Sequence, residues 1–134
     1  MIHENELFSG FPFDEGASAD VIHSAESALG VNLPSDYVEF LGRSNGGEGF
    51  IGGSYLVLWK AEELKPFNDD YGADVYAPGL LLFGSDGAGE AYAFDTNSNK
   101  WTIVQVPFIG MDLRYAVNLC NNFSEFLQHL YKLK

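Results

Sequence analysis

Cysteine is almost absent. Cys120 stands alone, so the chain can form no internal disulfide, and a zinc site built from cysteines is excluded. Basic residues are scarce as well: seven Lys and Arg, scattered singly, stand against nineteen Asp and Glu. A protein that grips nucleic acid needs a basic stripe, and none can be drawn here. Anionic membranes are disfavoured for the same reason. No apolar run approaches the roughly 18–20 residues that a bilayer crossing needs. The opening Met-Ile-His-Glu-Asn-Glu-Leu has neither the basic region nor the apolar centre of a secretion signal. These absences together lead us to expect a reducing cytoplasm. Internal repeats, low-complexity tracts and linkers are also missing, so residues 1–134 are expected to form one domain, with 1–17 as an N-terminal arm.

What is abundant is negative charge and aromatic surface. The formal charge is −12 and the pI about 4.3, while hydrophobic residues make up 46% and aromatic residues 15%. Disorder is thereby excluded and an aromatic-rich core expected. The acidic surface keeps the chain soluble and steers basic partners towards it.

One stretch, Leu33 to Gly47, carries its own helix start, buried face and stop. Pro34 suits a first helical turn, where a missing N–H has no partner to lose. Asp36 and Glu39 lie towards the positive end of the helix dipole and Arg43 towards the negative end. Tyr37, Phe40 and Leu41 make one apolar stripe, and Asn45-Gly46-Gly47 tolerates the positive φ that ends a helix. Before it, Ser18 can cap a helix carrying Val21, Ile22, Ala25, Ala28 and Leu29, with Gly30 after its end, which makes a helical pair. Phe8, Phe11 and Phe13 mark an arm whose aromatics pack onto the body.

Beyond Gly47 the pattern reads as strand and turn until the last dozen residues. Tyr55–Trp59, Leu80–Phe83, Glu90–Phe94 and Trp101–Val106 read as strands, joined too closely for crossover helices and therefore antiparallel. Ala61–Leu64 reads as one helical turn before Pro66, and Asn68–Asp74 as an acidic surface loop. At the end, Asn122 and Glu125 have capping-box spacing, and Phe123, Phe126, Leu127 and Leu130 form a stripe. Lys132 and Lys134 suit the negative end of that last helix. The expected class is α+β: a mostly antiparallel sheet with an N-terminal helical pair and a C-terminal helix packed on it.

Catalytic and metal motifs fail when tested. Asp95, Asn97 and Asn99 match the start of a calcium loop, but Lys100 stands where glycine is required and Val106 where a bidentate Glu belongs. Gly84–Gly89 lacks the Gly-Lys-Ser/Thr ending of a phosphate loop. His3, His23 and His129 belong to no nucleophile–base motif, and Cys120 borders apolar sequence. No catalytic residue, metal ligand or cofactor is therefore expected. A small hydrolase with a site invisible in sequence is the weakest of the readings that remain.

The ordered set of Leu29-Gly30, Leu33-Pro34, Tyr37, Phe40-Leu41, Asn45-Gly46-Gly47, Leu82–Glu90, Tyr92–Asp95 and Asn122–Leu127 resembles the Smi1/Knr4 family, also called the SUKH superfamily. The likeness runs from about Ser18 to Leu130 and departs from the common pattern at Asn122, where Ser is usual. It implies an α+β fold without enzymatic activity. Many bacterial members look like immunity proteins that bind and neutralise a cognate toxin, often a nuclease. The alternative it leaves is an intracellular regulatory or scaffold protein with a non-toxin partner. A nuclease must present Lys and Arg to phosphate, so a blocking protein benefits from matching carboxylates. Acids expected on exposed turns are Glu48, Asp69, Asp70, Asp74, Asp86 and Glu90; Tyr71 and Tyr76 add aromatic contact surface. The expected partner is a basic toxin domain, with neither nucleic acid nor membrane bound directly.

Overall fold

Three of the expected helices form, two of them where their caps place them. The computed structural model describes residues 3–133, so the first two residues of the arm and the charge assigned to Lys134 lie outside the described residues. After a one-turn helix α1 (Glu4–Leu7), α2 (Ala19–Leu29) starts at Ser18, whose hydroxyl accepts from the Val21 N–H. It stops at Gly30 in the left-handed conformation (φ 71°). Helix α3 (Ser35–Arg43) buries Tyr37, Phe40 and Leu41 as its spacing requires. Pro34 is its cap residue, one position before the first turn. The stop also differs from expectation. Ser44, extended at φ −149°, ends α3, and the positive φ comes later, at Gly46 and Gly47.

A six-stranded antiparallel meander follows: β1 (Gly47–Ile51), β2 (Ser54–Leu58), β3 (Leu80–Ser85), β4 (Glu90–Asp95), β5 (Thr102–Pro107) and β6 (Val117–Cys120), adjacent in that order. Strands β2 to β5 match the expected apolar runs to within two residues. Strand β1 hides among glycines, and β6 is too short to announce itself. The two-residue link Gly52-Gly53 joins β1 to β2, with Ile51 opposite Ser54.

One expectation is overturned. Asn68–Asp74 is no loop: α4 (Leu64–Tyr71) and α5 (Ala73–Tyr76), hinged at Gly72, occupy it, preceded by a 3₁₀ turn at Ala61–Glu63. Pro66 does not end the helix because it lies in the first turn, where no N–H partner is lost. Lys65 pairs with Asp69 at 2.8 Å, one turn on, which favours the same helix.

Helix α6 (Phe123–Lys132) crosses the sheet and buries Phe123, Phe126, Leu127 and Leu130. Only half of its expected capping box forms. The Asn122 side chain accepts from the Glu125 N–H at 2.9 Å, but Glu125 meets the Asn122 amide, not its backbone. A carboxylate from α3 compensates: Asp36 accepts from the Ser124 N–H at 3.0 Å, locking α3 to α6.

Alternation along β4 sends Tyr92 and Phe94 to one face of the sheet and Ala91 and Ala93 to the other, and all four are buried. On the first face Tyr37 packs 5.2 Å from Phe94 and 5.1 Å from Phe123, while Phe126 meets Tyr92 at 4.8 Å. Helix α4 packs on β3, with α2 against α4. Pairing of the β2 chain with β3 ends where the Trp59 N–H donates to the Phe83 carbonyl at 3.0 Å, and the buried Asn68 takes its place. The Asn68 Oδ1 accepts from the Leu82 N–H at 2.9 Å, and Nδ2 donates to the Leu82 carbonyl at 2.9 Å and the Leu64 carbonyl at 2.7 Å.

Tyr37 carries the one flaw in this core. Its hydroxyl is fully buried and makes no hydrogen bond among the described residues. Burial alone pushes its ionisation well above the ordinary tyrosine range. Tyr37→Phe is therefore expected to raise stability by about 1 kcal/mol at pH 7, read from urea unfolding. The sign with pH follows from linkage. Because the folded state holds this proton more tightly, Tyr37's contribution is complete below pH ~10 and is lost as pH rises further. The variant's advantage should widen above that point; a variant weaker than wild type at both pH values contradicts the assignment.

Candidate functional site

Of the eight residues singled out for partner contact, five share one helical edge. Asp69, Asp70 and Tyr71 end α4; Asp74 and Tyr76 lie on α5, directly after Gly72. Tyr71 is 45% exposed yet firmly seated. Its ring stacks on Trp59 at 9° between planes and 6.0 Å between centroids, and meets Phe108 at 4.5 Å. Trp59 in turn meets Phe67 edge-on at 5.1 Å. An aromatic held this way loses little side-chain freedom when a partner covers it. Asp69 is engaged with Lys65, whose ammonium it holds protonated above the usual range, whereas Asp70 and Asp74 are exposed.

The other three are not exposed-turn acids as expected. Glu48 lies in β1, exposed, and accepts from the Tyr55 hydroxyl on β2; that hydrogen bond raises the tyrosine's ionisation. Asp86 is half-buried and builds the β3–β4 turn by accepting from the Ala88 and Glu90 N–H groups at 2.8 and 3.1 Å. Glu90 is the first residue of β4, half-buried, and accepts from Gln105 at 3.3 Å. These two carboxylates and burial push the Tyr92 hydroxyl up to about 12, burial being the larger cause.

Phe108 joins the two groups. Its ring touches Tyr71, while its N–H donates to the Gly89 carbonyl at 3.0 Å, beside Glu90. Neither Phe108 nor the fully solvated Ile109 beside it was singled out from sequence. The hint was available, since both follow Pro107, where a strand should end. The carboxylates as a whole are not gathered on one side. They occur on the arm, on α2 to α6 and on β1, and the clear gap lies between Asp95 and Glu125, where only Asp112 falls.

The clefts offer no convergent chemistry. A cleft of about 690 Å³ at the other end of the sheet is walled by Asn32, Lys100, Trp101, Asn121 and Glu125. A groove of about 470 Å³ between α1, α3 and α6 has an apolar floor of Leu7, Phe40 and Leu127. Among the described residues no group of His, Cys, Asp and Glu could hold a metal ion, and no hydrogen bond links a histidine to a serine, threonine or cysteine. His23 sits 3.6 Å from Glu26 and is solvent-exposed. The Cys120 thiol is pushed up to about 11, by burial first and by Glu125 and Asp36 after it. Alkylation of Cys120 by iodoacetamide at pH 8 should run at least about tenfold slower than that of a free thiol; a rate equal to free cysteine contradicts this. No described helix is long and apolar enough to cross a membrane.

Comparison with known proteins agrees with this geometry. The chain is 33% identical over 125 residues to YnaB of Bacillus subtilis strain 168, which bears the description of an uncharacterised protein; the match covers 92% of this chain and 82% of that one. The model of the SMI1 / KNR4 family (SUKH-1) matches residues 16–129, which takes in both long N-terminal helices, the whole sheet and most of α6. The chain belongs to the SMI1/KNR4 (SUKH-1) family.

Proposed function

We propose that this chain is a non-enzymatic binding protein of the immunity type, which neutralises a toxin by covering a basic active cleft. The observation that carries the reading is Tyr71: an exposed aromatic clamped between Trp59 and Phe108, with Asp70 and Asp74 exposed beside it. Rigid aromatics are the usual energetic centres of protein interfaces, and flanking charges of one sign speed the approach of an oppositely charged partner. Membership of a family that includes immunity proteins supports the same reading. Glu90, next to the Gly89 carbonyl that holds Phe108, extends the acidic rim; Glu48, bonded to Tyr55 on β2, and Asp86, committed to its turn, act through their charge alone.

Reversing Asp69, Asp70 and Asp74 to lysine together is expected to slow association with the toxin domain at least tenfold at low salt. The difference should shrink at high salt, and the melting temperature should barely move, since all three side chains are exposed. Stopped-flow kinetics at two ionic strengths check this. An unchanged rate at low salt removes these acids from the interface.

A further inference from the structure

The two edges of the sheet are treated differently. The outer edge of β1 is closed by the arm, where the Phe50 N–H donates to the Gly10 carbonyl at 2.7 Å. The outer edge of β6 is open: among the described residues no backbone group of Val117–Cys120 bonds to anything beyond β5. Folds commonly shield such edges with lysine, proline, an inward charge, a bulge or shortness; Val117-Asn118-Leu119-Cys120 has no such side chain and only its four-residue length and the register shift opposite Ile103 and Val104. The segment leading into it is unusually apolar for a surface. Ile109 is 93% and Val117 58% exposed, with Leu113 and Tyr115 exposed between them.

Charge decides what fits there. Between Asp95 and Glu125 the chain has Lys100 and Arg114 against the single acid Asp112, while in the rest of the molecule five Lys and Arg stand against eighteen Asp and Glu. A basic partner is drawn towards the acidic surfaces and away from this side. A second copy meets the reverse situation, because residues 96–124, which supply β5, β6 and the link between them, carry two bases against one acid, even with the carboxylates of Glu125 and Asp36 acting on Cys120 at the far end of β6. Antiparallel strand pairing across a two-fold axis is self-complementary, so one open edge satisfies its own twin.

We infer that β6 pairs antiparallel with β6 of a second copy of this chain, joining two six-stranded sheets into one and covering Val117 and its apolar neighbours. The pairing does not rest on the toxin reading and holds if that reading fails.

Sedimentation equilibrium of the full chain without toxin, from about 1 to 500 µM, tests it. The expected mass rises with concentration from 14.7 kDa to twice that value. Val117→Lys should weaken the dimer at least tenfold, while Val75→Lys, at a still more exposed site on α5, should leave it intact. Hydrogen exchange of the wild-type chain needs no variant: the amides of 117–120 should exchange more slowly at high concentration than at low. A mass of 14.7 kDa throughout overturns the inference. So does a dimer that survives Val117→Lys with exchange at 117–120 independent of concentration. Protection of these amides that appears only when a toxin domain is added overturns it too, and assigns the edge to that partner.

Discussion

Replacing Asn68 with leucine is expected to lower the melting temperature by about 10 °C, although leucine is the more hydrophobic residue and the site is buried. The side-chain amide of Asn68 stands in for a missing strand. It pairs with both the N–H and the carbonyl of Leu82, where β2 has already left β3. Leucine leaves both groups buried without partners, at roughly 1–3 kcal/mol each, and its added apolar contact offsets only part of that. A net loss of about 3 kcal/mol moves the transition of a domain this size by roughly 10 °C. Asn68→Asp separates hydrogen bonding from shape. It keeps an acceptor for Leu82 N–H but aims a carboxylate oxygen at the Leu82 and Leu64 carbonyls, so it should be at least as damaging at pH 7. Burial favours the protonated acid, which can donate again, so its deficit relative to wild type should shrink as pH falls towards 4. Thermal unfolding at both pH values measures this. A leucine variant as stable as wild type contradicts the role given to Asn68.

Gly46→Ala is expected to be nearly as costly, by about 3 kcal/mol. Gly46 adopts φ 79°, which alone disfavours alanine by roughly 1 kcal/mol. A Cβ there would also lie 2.6 Å from the Leu58 carbonyl oxygen and 2.9 Å from that of Trp59, both backbone atoms that cannot swing away. The neighbouring residues explain why the chain passes so close. Buried Ser44 accepts from the Asp14 N–H at 2.9 Å and donates to the Gly46 carbonyl at 2.7 Å. Asn45 accepts from the Ala61 N–H at 2.8 Å and donates to Glu62 at 2.7 Å, which holds that carboxyl below its usual range. Ser44, Asn45 and Gly46 thus tie the arm, the end of α3, β2 and the 3₁₀ turn into one knot. Chemical denaturation of Gly46→Ala checks the figure, and a change below ~1 kcal/mol shows that the knot can relax.

How legible each part was in the sequence follows from how local its cause is. The caps of α2 and α6 and the apolar runs of β2 to β5 are short-range signals, and they place those elements correctly. Helix α4 was misread although its face has helical spacing. Leu64, Phe67 and Asn68 face the body together, but an asparagine occupies a core position because its partner is the backbone of a distant strand. Polar residues beside Pro66 and Gly72 then resemble a loop. The residues proposed for contact divide the same way. Tyr71 stands out in sequence through its acidic neighbours, whereas its support by Trp59 and Phe108 depends on three separate elements meeting. Asp86 and Glu90 look like free turn acids until their hydrogen bonds are seen.

Where a large secreted protein with a toxic C-terminal domain is encoded beside its gene, co-expression of this chain with that domain is the most direct measurement of what the molecule is for. Restored growth together with a stable complex that shields Tyr71, weakened by reversal of Asp69, Asp70 and Asp74, is the result our account requires. Continued growth arrest with no complex, or rescue by a chain that chemically consumes the toxin or its product, would contradict it.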